Sequence, residues 1–296
     1  MIKKRGIVIC MMMLLAGAGL FGCGGDGEND GGPALLSEAM GLLEASNAYS
    51  YRAEQMIQGG GGLYDSVSEI NVIYEPYAYL AQSTSRNQEG EQFSGEIYQR
   101  VNADGSMDVF LRNGEVSGGA PGEWAPNHIP PETARIVLAS AKEGVRASAE
   151  LLKANEALFK EAGKESVEGR SAVLLKGAVT PDSAAQIYND HFRTYYRQIG
   201  LVEDRDLTDE EAKEEIVTGG LVEMESGIPS LAFSPDNIPV TVWIDEETHV
   251  PVKVEVDYTA AAQAIQGGDQ VDLAVATYTI SALEPDVTVP APEGLE

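Results

Sequence analysis

From Val250 to Tyr258 the chain alternates without a break: Val250, Val252, Val254, Val256 and Tyr258 occupy every second position, with Pro251, Lys253, Glu255 and Asp257 between them. Successive side chains of a strand point to opposite faces, so this period of two dictates a strand with one apolar and one charged face. A slip of one residue would bury three charges, which fixes the side of the sheet that meets the interior. Val240, Val242 and Ile244 repeat the pattern upstream, across a turn at Asp245-Glu246-Glu247-Thr248, so the two segments form an antiparallel hairpin. Its apolar face needs a cover, and the rest of the chain must supply it.

The same grammar recurs earlier. Residues 49–58 and 66–75 read as two strands joined through the glycines of 59–62, with Ile70, Val72 and Tyr74 on one face and Glu69, Asn71 and Glu75 on the other. Residues 92–101 and 106–112 form a second pair around Asn102-Ala103-Asp104-Gly105, where Asp-Gly supplies the turn chemistry. Residues 166–179 read as strand through a turn at Glu168-Gly169, and 271–280 as a last strand before a proline-containing tail over 287–296.

Apolar residues at helical spacing mark 34–46, then 133–159 with a break near Gly144, then a helix opening at Thr180-Pro181-Asp182. That last helix carries Tyr188, Phe192, Tyr195, Tyr196 and Ile199 at spacings of three and four, a stripe that reads as core packing. Strands in a meander, interrupted by helices, predict an α+β fold.

The first 22 residues are of another kind. Lys3, Lys4 and Arg5 precede an uncharged apolar run over 7–20. A spanning helix needs about 20 apolar residues, and this shorter run passes directly into Leu20-Phe21-Gly22-Cys23. Residues 1–22 therefore read as an export signal. Leu20-Phe21-Gly22-Cys23 resembles the lipobox of bacterial lipoproteins, which implies cleavage before Cys23 and attachment of acyl chains such as palmitate to it. Residues 24–33, glycines among Asp26, Glu28, Asn29 and Asp30, read as a flexible acidic tether. The domain at 34–296 is then left without cysteine, and the lipid holds it at the extracytoplasmic face of the cell membrane. No Pro/Gly/Ser-rich linker divides it, so it reads as a single domain with a helical insertion near 180–230.

Loss of residues 1–22 removes three positive charges and no negative ones, so Lys+Arg falls from 20 to 17 against 47 Asp+Glu, a net charge of −30. Nucleic acid is excluded as a partner by repulsion over the whole surface, and attachment to an anionic membrane must come from the lipid. The chemistry of an enzyme is also missing. His128, His191 and His249 fall in a proline-rich loop, a helix and a hairpin turn, and there is no His-Glu-x-x-His, Gly-x-Ser-x-Gly or phosphate loop. Asp204, Asp206, Thr208 and Glu215 have the spacing of a calcium loop, but Asp209 stands where the turn needs glycine. Thr208-Asp209-Glu210-Glu211 reads instead as a capping box at a helix start. No catalytic residue, metal or cofactor is implied.

The order is lipobox, acidic tether, helix, meandering strands, inserted helices, hairpin and a tail with Val289-Pro290. Together with Tyr49-Ser50-Tyr51, Tyr74-Glu75-Pro76-Tyr77, Gly122-Glu123-Trp124, Val242-Trp243-Ile244-Asp245 and Val252-Lys253-Val254, it resembles the LolA/LppX-like superfamily of bacterial lipoproteins over most of 34–292. The resemblance implies an open, curved antiparallel sheet, a half-barrel, with helices covering or capping the concave face. It also implies a lipid or other hydrophobic ligand held between sheet and helices. Val240, Val242, Ile244, Val252, Val254 and Val256 are the residues expected to line that space. The helical insertion departs from the compact members and would cap, fill or replace the cavity. A surface interaction or sensor module, its interior filled and its acidic exterior facing a basic protein, is the alternative; the sequence names no protein partner.

Overall fold

The computed structural model describes residues 31–60, 62–87, 89–113, 122–193, 197, 207–218, 228–266 and 270–295. The export signal, Cys23 and most of the tether lie outside the described residues, as do Tyr195, Tyr196, Ile199, Asp204 and Asp206.

Eleven strands form one antiparallel sheet: β1 (Ala48–Gly59), β2 (Gly62–Tyr74), β3 (Tyr77–Arg86), β4 (Gln92–Val101), β5 (Met107–Asn113), β6 (Ala125–Ile129), β7 (Lys160–Val167), β8 (Arg170–Val179), β9 (Ile238–Asp245), β10 (Pro251–Asp257) and β11 (Leu273–Leu283). Their spatial order is β6-β5-β4-β3-β2-β1-β11-β10-β9-β8-β7. Two meanders, β1–β6 and β7–β11, are thus joined along one seam, where the first strand pairs with the last from Tyr49 opposite Leu283 to Gln58 opposite Leu273.

The helices among the described residues are α1 (Gly31–Ala45), α2 (Pro131–Ala154), α3 (Pro181–Ile187), α4 (Asp209–Thr218), α5 (Ile228–Leu231) and α6 (Thr259–Gln266). None of them is long and apolar enough to cross a membrane. α1 starts at Gly31 and not at residue 34, taking three residues from the expected tether. First-turn N–H groups have no partner within a helix, so Pro33 costs nothing there. Gly32 allows a close approach: a Cβ on it would lie 3.3 Å from the Glu161 backbone nitrogen at the start of β7.

α2 leaves one sheet edge, β6, and leads through a short 3-10 turn at Glu156–Leu158 into the other edge, β7. Its 24 residues span about 36 Å. Eleven flat strands would hold their outer members about 48 Å apart, so the strap is matched to a sheet that curls. The result is an open, curved antiparallel sheet with helices on its concave face, an α+β fold as expected. The break expected near Gly144 is absent because the helix continues through it, with the Ser148 hydroxyl donating to the Gly144 carbonyl at 2.9 Å.

α3 begins as its sequence dictates: the Thr180 hydroxyl accepts from the Ser183 N–H, with Pro181 at the first position. A π-helical turn at Tyr188–Phe192 prolongs it. The capping box at α4 is also present. The Glu211 carboxylate accepts from the Thr208 N–H at 2.9 Å, and the Glu211 N–H donates to the Thr208 hydroxyl at 3.4 Å.

Candidate functional site

The concave face divides into two halves with different surfaces. On β9 and β10, Val240 opposes Val256 and Val242 opposes Val254. These four and Ile244 retain 0–3% exposure inside the main apolar core, where α1 packs on both strands. That burial leaves them no surface for a ligand.

Val252 is a correction. It lies on the opposite face, in a small separate cluster with Ala172, Leu174 and Trp243. The cause is a β-bulge between Pro251 and Lys253: Pro251 pairs with Ile244 and Lys253 with Trp243, so Val252 has no partner on β9 and the alternation changes phase. Trp243 therefore faces outward too, donating its indole N–H to Glu165 at 2.8 Å with the Lys253 ammonium 4.2 Å from its ring centre.

The other half, β1–β5, sorts its side chains differently. Residues that share the inward face by register run through Tyr49 to Ile57 on β1, Tyr64 to Tyr74 on β2, Tyr77 to Ser85 on β3, Phe93 to Val101 on β4 and Met107 to Asn113 on β5, every second position. Not one of these residues is charged. The charges sit on the outward face, where Arg52 reaches Glu54 and Glu69, and Arg112 reaches Glu96.

Apolar residues of this inward face pack on the core yet keep accessible surface. Tyr51, Tyr79, Ile97 and Leu111 do so on the sheet, and Val137, Leu138, Ala141 and Val145 do so on α2. The Tyr74 hydroxyl reaches the Ala141 carbonyl at 3.4 Å, which places α2 over this half. Half-exposed apolar groups on a curved sheet and on the helix that bridges it make this the candidate apolar groove.

Tyr51 lies deep on this face. Burial, with Tyr79, Tyr278 and Tyr77 around it, pushes its phenol pKa well above the ordinary tyrosine value. Yet the side chain keeps accessible surface, and its hydroxyl has no hydrogen-bond partner among the described residues. One row along the strands, Ser68 and Ser83 share a hydrogen bond of 2.7 Å. One row further, the Gln55 amide donates to the Tyr258 hydroxyl at 2.6 Å.

The three histidines stay apart. His128 lies in strand β6 and not in a loop, 3.0 Å from Asp108 across the ladder, and His249 in its turn meets Glu38 at 3.0 Å. His191 is held between Glu143 at 2.7 Å and Glu150 at 2.9 Å, both on α2. Burial works to raise the Glu150 pKa, but His191 and Arg146 outweigh it and hold the carboxyl below the usual range. Tyr188 and Phe192 are fully buried core residues. Among the described residues no three His, Cys, Asp or Glu side chains are placed to hold a metal ion.

No protein-family model matches the sequence, and no curated protein matches it. Among solved structures the chain is similar to the lipoprotein LppX of Mycobacterium tuberculosis, at 14% identity over 87% of this chain and 99% of that chain, with a TM-score of 0.39. LprF of Mycobacterium bovis is similar at 13% identity over 89% and 98%, TM-score 0.46. A putative outer membrane lipoprotein-sorting protein domain from Vibrio parahaemolyticus is similar at 9% identity over 89% and 95%, TM-score 0.26. At these identities the likeness is one of fold alone.

Proposed function

We propose that this protein is a lipid-anchored extracytoplasmic lipoprotein that holds a hydrophobic ligand between the concave face of β1–β5 and α2. The observation that carries this reading is the contrast between the two halves of the sheet. Val240, Val242, Ile244, Val254 and Val256 are sealed by the protein's own helices, whereas Tyr51, Tyr79, Ile97 and Leu111 keep accessible surface on a face without charge. The valines then act as the packed wall that gives the groove its curvature, and the ligand lies against β1–β5. Holding it requires no catalytic group: enclosing roughly 300 Å² of an acyl chain is worth on the order of 7 kcal/mol before the cost of immobilising it.

The sealed β9–β10 half supports a second reading, an interaction module with a filled interior. A substitution at Ile97 separates the two. In the full-length chain carrying Cys23→Ala, Ile97→Trp should weaken binding of a fluorescent acyl probe by about tenfold or more while moving Tm by less than about 3 °C. A wild-type groove that takes up no apolar probe, together with strong destabilisation by Ile97→Trp, would leave the filled-interior reading in front.

Anchoring rests on Cys23 and the tract that follows it. Cys23→Ala should move the protein from the membrane fraction to the soluble fraction after carbonate washing, because stable attachment needs two or more acyl chains. Wild-type-like retention of the variant would refute the anchor.

A further inference from the structure

The groove places one hydrogen-bonding group deep inside an otherwise uncharged surface, and that combination specifies more than apolarity. The inward face of β1–β5 has no cation to receive a carboxylate or a phosphate, and the mature chain's excess of Asp and Glu repels both. Moving an unpaired anion onto such a face is strongly unfavourable, so an acid would have to bind in its protonated form. The face is nevertheless not hydrocarbon throughout. Tyr51 presents a hydroxyl that lacks a hydrogen-bond partner among the described residues, on a side chain that keeps some accessible surface. Depth keeps the Tyr51 phenol protonated throughout the neutral range, so it remains a donor. The Ser68–Ser83 pair lies about 7 Å along the strands, leaving polar capacity on the same side of the groove.

We propose that the groove selects an uncharged acyl ester over the free fatty acid of the same chain length, with the Tyr51 hydroxyl donating to the ester carbonyl. This rests on the ligand-holding reading above. A plain hydrocarbon would cover this face but leave the Tyr51 hydroxyl without a partner, and a carboxylate would meet no cation on the sheet wall. An ester meets both conditions, since its carbonyl accepts a hydrogen bond and it carries no charge at any pH. Tyr51 is then a specificity-determining residue.

The test uses three pyrene-labelled probes of equal chain length, a methyl ester, the free acid and an alkane, titrated at pH 7.5 into the full-length Cys23→Ala chain. The ester should bind about tenfold more tightly than the acid. Removing only the hydroxyl, in Tyr51→Phe, should weaken the ester by about three- to tenfold, the size of one hydrogen bond, and leave the alkane unchanged. Tyr51→Phe keeps the ring, and an unchanged Tm would confirm that packing is intact. Equal binding of ester and acid, or equal weakening of ester and alkane by Tyr51→Phe, overturns the inference while leaving the groove in place. Failure of all three probes to bind overturns both this inference and the ligand-holding reading.

Discussion

Phe159→Ala is expected to destabilise the protein by about 3–5 kcal/mol, the range for emptying a large aromatic site in a core. Phe159 is 1% exposed and sits where the strap α2 hands the chain to β7. Its ring lies over Gly177 of β8, so closely that a Cβ on that glycine would come within 2.5 Å of it. The absent side chain at 177 and the ring at 159 are two parts of one fit. Gly177→Val should therefore also destabilise, by about 1–3 kcal/mol through overpacking. Combined with Phe159→Ala it should cost less than the sum, because the space that valine needs has then been vacated. Urea titrations of the four chains measure this coupling, and strict additivity would show that the two residues do not share one space.

Arg193→Ala should cost a similar amount, about 3–5 kcal/mol, for an electrostatic reason. The Arg193 side chain is 1% accessible and its guanidinium forks onto Glu215 of α4, Nε to Oε2 at 2.8 Å and Nη2 to Oε1 at 3.3 Å. The Tyr188 hydroxyl donates to the same carboxylate at 3.3 Å. Removing the guanidinium takes both of its hydrogen bonds from a mostly buried Glu215, and the 14% accessibility of Glu215 sets the cost toward the lower end. Replacing both charges with apolar residues, Arg193→Met with Glu215→Leu, should recover most of the loss. If the double variant is as unstable as Arg193→Ala, packing of the arginine stem and not charge pairing holds α4 on α3.

Much of this architecture is legible in the sequence, and the misses have physical causes. The hairpins at 102–105, 168–169 and 245–248 announce themselves through turn residues, and α3 and α4 through their caps. β3 does not. Its inward residues include Ala81, Ser83 and Ser85, which are small or polar, so the alternation of apolar with polar is lost although the strand pairs along its whole length. β7 is an edge strand of mostly charged and small residues, exposed almost throughout, and no periodicity could mark its start at Lys160.

The expected site followed the strongest apolar alternation, and strong alternation marks the best-sealed strands. Accessible surface belongs to positions where apolar character is diluted by tyrosine, serine and glutamine. The usable signal there is the absence of charge at every second residue from Tyr49 onward, against Arg52, Glu54 and Glu69 on the other face. Val252 was unreadable for a different reason. A bulge shifts phase through backbone pairing, and the unbroken valine repeat conceals it.

The seam between β1 and β11 also determines the order in which the molecule can be completed. A ribosome delivers β1 before β2 and β11 after the other strands of the sheet, so each meander can assemble from neighbours in sequence while the join between them waits for β11. Contacts of such long sequence separation form slowly. Until then one side of β1 is an open strand edge, with Tyr51 and Ala53 on its apolar face, and open edges recruit other chains. The centre of the finished sheet is thus the nascent protein's most aggregation-prone margin, and the last strand to be synthesised is its guard.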